Sequence, residues 1–337
     1  MNDLALVGID LGKHIFHVHG QDRGGRELFH KKLTRTQLGA FFGNLPACIV
    51  AMEACAGAHF IARQLMSLGH ESKLISAQFV KPFVKGNKND FIDAQAICEA
   101  ASRPSMRFVT PKTEAQQALS VLHHMRESLI RDRTKTINQA HGFLLEFGIA
   151  LSKGPAIMKR LPSLLSEQAL PPQLSGLLER LQRHFVYLDE QIKALDKELA
   201  SDYLGRRLLG IPCVGPITAS LLACEMGDDK QFGGSRDFAA SAGLAPRQYS
   251  TGGRANLLGI SKRGDKNLRR LLVQCARVYL QTLDYQRGAL AEWVRSLLIR
   301  RHSNVVACAL ANKLARIAWA LAAHHSEFAT GPSRLQA

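Results

Sequence analysis

Hydrophobic and polar positions along the first 110 residues change period several times. Leu4 to Leu11 is an apolar run that ends on Asp10 and is followed by Gly12. His14 to Gly20 alternates apolar and polar side chains, the period-two pattern of a half-buried strand. Gln21 to Gly25 predicts a turn, and Glu27 to Leu33 a third strand that can pair with the second. Thr34 to Phe42 predicts a short helix with Thr34 as its cap. Ala47 to Met52 is a buried strand that ends at Glu53, Gly57 to Leu68 a helix, Ser72 to Ile75 a short strand, and Asp90 to Ser102 a helix rich in Ala and Ile. The expected order is three strands, helix, strand, helix, strand, helix, which makes residues 1–110 an α/β domain.

Beyond that point the period is helical. From Thr113 to about Phe147, Leu122, Met125, Leu129, Ile137, Ala140, Leu144 and Phe147 recur mostly at steps of three and four. A loop rich in Pro and Gly is expected next, marked by Gly154-Pro155, Pro162 and Pro171-Pro172. Leu174, Leu178, Leu181, Phe185, Leu188, Ile192, Leu195 and Leu199 then alternate steps of four and three, a heptad seam. Residues 111–204 therefore read as a helical coiled-coil linker. Its two long helices either pair as an antiparallel arm, join the arm of a second protomer, or form an ordinary amphipathic hairpin. Residues 205–330 read as a mainly α domain. Leu208 to Met226, with Gly210, Gly215 and Pro216 at the turn, fits a helix-hairpin-helix. A short helix at Ser235 to Ala242, an irregular stretch from Arg247 to Gly264, a helix capped by Asp265 and running to Gln281, and two closing helices near Ala291 to Arg301 and Ser303 to His324 complete it.

Composition is ordinary for a globular protein of 337 residues, with 46% hydrophobic and 21% charged residues. The net charge of +16 is not ordinary and points to a polyanionic partner. The long apolar stretch near Val305 to Ala323 carries Asn312, Lys313 and Arg316, so a core helix is expected rather than a membrane span, and no signal peptide is expected in the opening residues. Nucleic acid is thus the favoured polyanion, with no membrane partner. Seven cysteines are scattered without a CxxC pair, which suggests a reducing cytoplasm and argues against disulfides or structural zinc. His17 and His19, His123 and His124, and His324 and His325 are read as surface or structural residues lacking the partners of a metal site.

Four acidic residues stand out. Asp10 and Glu53 each end an apolar strand, where acids are rare unless paired. Asp90 and Asp93 share one face at a helix start, where the helix dipole alone could also account for them. If that helix packs across the sheet, all four converge. Convergent carboxylates call for a cation, and their hard oxygens suit Mg2+ or Mn2+. Two such ions about 4 Å apart form a clamp for in-line attack at a phosphodiester. A second constellation is basic. Arg247, Arg254, Lys262, Arg263, Lys266, Arg269 and Arg270 face a single acid, Asp265, among glycines that let backbone approach a phosphate. Ser250 lies in this segment; its hydroxyl could attack phosphorus beside the cations, although a loop serine is usually a turn residue.

These residues resemble a family. Gly8-Ile9-Asp10-Leu11-Gly12-Lys13, Met52-Glu53-Ala54 and Lys88-Asn89-Asp90-Phe91-Ile92-Asp93-Ala94 are similar to the acidic motifs of the DEDD transposases of bridge-RNA insertion sequences, the IS110 group and most closely its IS1111 branch. Ile211-Pro212-Cys213-Val214-Gly215-Pro216, Ser241-Ala242-Gly243-Leu244-Ala245-Pro246, Ser250-Thr251-Gly252-Gly253 and Lys262-Arg263-Gly264 resemble its C-terminal motifs. The resemblance implies a RuvC-like, ribonuclease-H-type N-terminal domain, a coiled-coil linker and a helical C-terminal transposase domain. It implies Mg2+ on Asp10, Glu53, Asp90 and Asp93, and a serine nucleophile that forms a phosphoserine link to DNA. It also implies a non-coding bridge RNA that pairs with donor and target DNA. Ser250 matches the nucleophile's position, with Thr251 intervening where the common pattern has glycine directly; Ser241 is the alternative. A dimer or tetramer is expected, because recombination needs several strand breaks. Other readings are a resolvase-like nuclease that uses water in place of serine, an actin-like sugar kinase, for which the further phosphate and adenosine motifs are missing, and a non-catalytic nucleic-acid binder, which has no need of Asp10 and Glu53 at strand ends.

Overall fold

Eight residues from Leu4 to Leu11 form the first strand, β1, and the chain folds back through a tight turn into β2 (Ile15–Asp22). The computed structural model describes residues 3–86, 89–152, 154–168, 170–201, 205–227 and 231–328. Lys88 of the third acidic motif, residues 202–204 of the expected linker and 329–330 of the expected C-terminal domain lie outside the described residues. By contact density the chain divides into two units, residues 1–117 and 118–337.

The first unit is a sheet covered on both faces. β3 (Glu27–Thr34), α1 (Arg35–Gly43), β4 (Ile49–Glu53), α2 (Ala58–Ser67), β5 (Glu71–Ile75), α3 (Ala77–Val80), α4 (Asp90–Ala101) and β6 (Phe108–Val109) follow in sequence. The six strands lie in the order β3-β2-β1-β4-β5-β6. β1, β4 and β5 are parallel, whereas the β1–β2, β2–β3 and β5–β6 pairs are antiparallel. Thr34 caps α1 as expected, in a reciprocal capping box with Gln37. Alternation assigns the faces. Val7, Ile9, Phe16, Val18, Val50 and Met52 pack with Leu38, Ile61 and Leu65 on the side of α1 and α2. Leu6 and Ala51 pack with Ala96, Ile97 and Cys98 of α4 on the other. Gly8, Asp10, His17, His19 and Glu53, in the same alternation, belong to the α4 side. The sixth strand and the short α3 are additions to the expected order; each is too brief to leave a period in the sequence.

The second unit is mainly helical: α5 (Glu114–Leu145), α6 (Ala156–Glu167), α7 (Pro172–Ser201), α8 (Pro216–Met226), α9 (Ser235–Ser241), a hairpin of β7 (Pro246–Gln248) and β8 (Leu257–Ile260), α10 (Lys266–Gln281), α11 (Ala289–Leu298) and α12 (Ser303–Ala323). The heptad residues Leu178, Phe185, Leu188, Ile192, Leu195 and Leu199 are buried within this chain. Arg126 pairs with Asp196, and Arg133 with Asp189, so α5 and α7 run antiparallel. Hydrogen bonds from Lys193 and Arg133 hold the Asp189 carboxyl below the usual carboxylate range.

Three expectations are corrected here. The proline-rich stretch expected as a loop contains α6, in which Ile157, Met158 and Leu161 are buried against Leu144 and Leu178; that burial offsets the hydrogen bond lost at Pro162. The first limb of the expected helix-hairpin-helix is only a 3-10 turn, Arg206–Gly210, because Pro212 forces Ile211 into an extended conformation. The stretch expected as irregular, Arg247 to Gly264, holds the β7–β8 hairpin. α12 is long and apolar enough to cross a membrane, but Val306, Leu310, Leu314, Ala318 and Leu321 along its length are buried in the unit's own core.

Candidate active site

The carboxylates of the first unit meet where β1 and β4 end. Gly8 is level with Ala51 and Ile9 with Met52 in the parallel β1–β4 pair, so Asp10 and Glu53 follow on neighbouring strands. Both are half-buried. α4 crosses this face and opens with Asn89, whose side chain accepts a hydrogen bond from the Phe91 amide, placing Asp90 and Asp93 in the first turn. The helix lies so close to β1 that a Cβ on Gly8 would collide with the Ala94 carbonyl and the Cys98 sulfur. Cys98 donates to the His19 carbonyl at 3.4 Å, and burial pushes its thiol up to about 12.

The electrostatics report the crowding. Burial raises the Glu53 carboxyl above its ordinary range, and the charges of Asp10 and Asp93 raise it further. The thiol of Cys55 is raised as well, by burial and then by Glu53 and Asp10. Asp90 takes a slightly different position. Its Oδ2 lies 3.6 Å from Nδ1 of His17, the residue opposite Asp10 in the β1–β2 pair. Asp10, His17 and Asp90 each offer a ligand atom within 4.8 Å of the others. Asp10 is thus shared between a group with Glu53 and Asp93 and a group with His17 and Asp90. The expectation that His17 lacks the partners of a metal site is corrected: the hairpin register delivers it to Asp10. That register was accessible, since a tight turn centred near His14 pairs residues whose numbers sum to 27.

The basic constellation belongs to the second unit. Gly252 and Gly253 both have positive φ, 56° and 76°, flanked by a bridge from Thr251 to Arg254: a two-residue turn that closes the β7–β8 hairpin. The Gly-Gly pair is the sequence signal of this hairpin. Ser250 is exposed beside this turn; its Oγ accepts from Gln248 Nε2 at 2.8 Å and from the Asn256 amide at 3.3 Å. Ser241 ends α9, and its Oγ donates to the Phe238 carbonyl at 2.7 Å. The hairpin is tied to the fold by Ser261 N to Ala245 O and Lys262 N to Gly243 O. Arg247, Arg254, Lys262, Arg263, Lys266 and Arg270 are exposed. Arg269 differs: half-buried, it donates to the Ala242 carbonyl at 2.9 Å, so its guanidinium is engaged inside the fold.

Comparison with known proteins agrees with the sequence motifs. Residues 7–149 match a model of IS110-type DEDD transposases, described as "Transposase", and residues 205–292 match the "Transposase IS116/IS110/IS902 family". The chain is similar to the transposase for insertion sequence element IS1328 of Yersinia enterocolitica, 61% identical over 332 residues that cover 97% of this chain and 99% of that protein. A probable family 20 transposase of Pseudomonas aeruginosa is 45% identical over 98% of this chain and 100% of its own length. The transposase for insertion sequence element IS1111A of Coxiella burnetii is 39% identical over 98% and 93%.

Proposed function

This chain belongs to the IS110 family of DEDD insertion-sequence transposases, enzymes that cut and rejoin DNA, and we propose that it does so with Asp10, Glu53, Asp90 and Asp93 as cation ligands and Ser250 as nucleophile. One observation carries the reading: four carboxylates from β1, β4 and α4 gather at one end of the sheet, close enough for Asp10 and Asp93 to raise the Glu53 carboxyl. Like charges held in this way favour a bound cation, and an oxygen-rich donor set suits Mg2+ or Mn2+. Such a cation, when bound, supplies Lewis-acid stabilisation of charge on the phosphoryl oxygens.

The chain's own residues do the rest. Ser250 stands exposed on a hairpin whose flanks carry Arg247 and Arg254. Its Oγ attacks a phosphorus of the DNA backbone, and the bond from phosphorus to one sugar oxygen breaks. The proton lost by the serine offsets the one gained by the departing hydroxyl. A phosphoserine link results, which a sugar hydroxyl of the incoming strand reverses. Arg247, Arg254, Lys262, Arg263, Lys266 and Arg270 hold backbone phosphates near the serine. Arg269, assigned to the same role from sequence, instead holds the C-terminal end of α9 through the Ala242 carbonyl. The Ser241 hydroxyl, directed at a helix carbonyl, is less suited to attack.

The order β3-β2-β1-β4-β5, in which β2 alone is reversed, with the two-residue β6 added antiparallel at the edge, supports a RuvC-like reading of residues 1–110. Residues 111–204, dominated by antiparallel α5 and α7, act as a coiled-coil linker, and residues 205–330 as the transposase domain that carries the serine. A bridge non-coding RNA pairs with donor and target DNA, and a dimer or tetramer in the bacterial cytoplasm brings the several active sites together.

The test incubates the protein with its element's DNA, the flanking non-coding RNA and Mg2+, followed by a denaturing gel. A covalent protein–DNA adduct is expected, lost by a factor of about a thousand or more in Ser250→Ala and Asp10→Ala and retained in Ser241→Ala. Cleavage with no adduct, unchanged by Ser250→Ala, overturns the serine mechanism in favour of attack by water.

A further inference from the structure

We propose that His17 is itself a ligand of the cation, its Nδ1 joining Asp10 and Asp90, and that this nitrogen biases the site toward Mn2+ over Mg2+; the inference rests on the reading of the carboxylates as a cation site. Antiparallel pairing places His17 directly opposite Asp10, on the face that α4 covers. Its side chain is only 12% exposed, so it is a held group rather than a mobile surface imidazole. Phe91 of α4 meets the ring edge-on at 4.7 Å and meets His30 at 5.2 Å, which fixes the imidazole plane between strand and helix.

The distances are compatible with ligation. Nδ1 of His17 and Oδ2 of Asp90 are 3.6 Å apart, beyond the roughly 2.7–3.2 Å of a made hydrogen bond. Donors bound at about 2.1 Å around an octahedral ion stand about 3.0 Å apart when adjacent and about 4.2 Å when opposite. The His17–Asp90 pair falls in that interval, and all three donors lie within 4.8 Å of one another. Imidazole suits first-row transition ions, whereas Mg2+ favours oxygen and retains water. A nitrogen among carboxylates therefore leaves Mg2+ binding possible and adds affinity for Mn2+.

The experiment uses the full chain titrated with Mn2+, with free ion followed by electron paramagnetic resonance and Mg2+ affinity measured by competition. Bound Mn2+ is expected to show nitrogen-14 modulation in electron spin echo spectra. In His17→Gln that modulation disappears, Mn2+ affinity falls about 10- to 100-fold, and Mg2+ affinity falls less than about threefold. Bound Mn2+ without nitrogen modulation in the wild-type protein, or modulation that survives His17→Gln, overturns the assignment of His17 while leaving the carboxylate site intact. Absence of Mn2+ binding, or binding indifferent to Asp10→Asn, overturns the cation site itself. Even if His17→Gln folds poorly, a wild-type spectrum without nitrogen modulation overturns the assignment.

Discussion

Glu53 concentrates the electrostatic strain of the first unit. Burial raises its carboxyl, and Asp10 and then Asp93 add to the shift. A carboxyl with a raised folded-state value binds its proton more tightly in the native chain than in the unfolded one, so stability falls as pH rises through that value. At neutral pH and without divalent cations the charged Glu53 therefore destabilises the fold. Glu53→Gln removes the repulsion, and its Tm in a chelating buffer is expected to exceed the wild type's by roughly 1–3 °C. Millimolar Mg2+ should then raise the wild-type Tm, by binding only the native state, and leave the variant nearly unmoved. Differential scanning fluorimetry in four conditions checks this; equal melting of both proteins with and without Mg2+ would contradict a cation site here. The same residue shows how far sequence reaches. An acid at the end of Val50-Ala51-Met52 was legible as unusual from the pattern alone, but its nearness to Asp93 was not, because that depends on where α4 lands.

At the scale of elements, the landing of α4 is decided by Gly8. Ala94 and Cys98 sit where a Gly8 side chain would go. Gly8→Ala must push the helix off β1, at a cost of about 1–3 kcal/mol from overpacking, and it carries Asp90 and Asp93 away from Asp10 at the same time. A lowered urea midpoint is expected, with strand cleavage lost more than stability alone explains. Cys98 offers an internal probe: its thiol, pushed up to about 12 by burial, should resist alkylation in the wild type and react measurably in Gly8→Ala. Unchanged cleavage and unchanged alkylation would show that α4 does not depend on this close approach. Elements also account for the misread segments. In α6 the apolar positions Ile157, Met158 and Leu161 are helical in spacing, yet Pro155, Pro162 and Pro171 mask them, and only packing against α5 and α7 selects the helix. The β7–β8 hairpin exposes Tyr249, Leu257 and Leu258, so no buried face produces an alternating pattern, and the turn glycines alone announce it.

For the whole molecule, the net charge of +16 predicts binding to nucleic acid that weakens steeply with salt. Each exposed basic group that touches a phosphate contributes about 0.9 to the slope of log affinity against log salt. Arg254→Ala, Lys262→Ala and Arg263→Ala together should flatten that slope by about 2–3. Arg269→Ala should leave the slope nearly unchanged and lower Tm, since its guanidinium holds the Ala242 carbonyl. Fluorescence anisotropy between low and moderate salt separates the two classes; a slope change from Arg269→Ala equal to that of an exposed arginine would place it on the DNA.

The sequence by itself determined the family and the local elements: the strand ends that carry Asp10 and Glu53, the Thr34 and Asp265 caps, the seam of α7 and the basic segment around Ser250. These follow from periodicity and side-chain type, which act over a few residues. Tertiary structure alone decided which groups meet. The close seating of α4 on Gly8 brings Asp93 to Glu53, and the turn at Ala242 takes Arg269 out of the basic surface. Each of these depends on packing between segments distant in sequence, where a fraction of an ångström at one contact fixes the position of a side chain elsewhere.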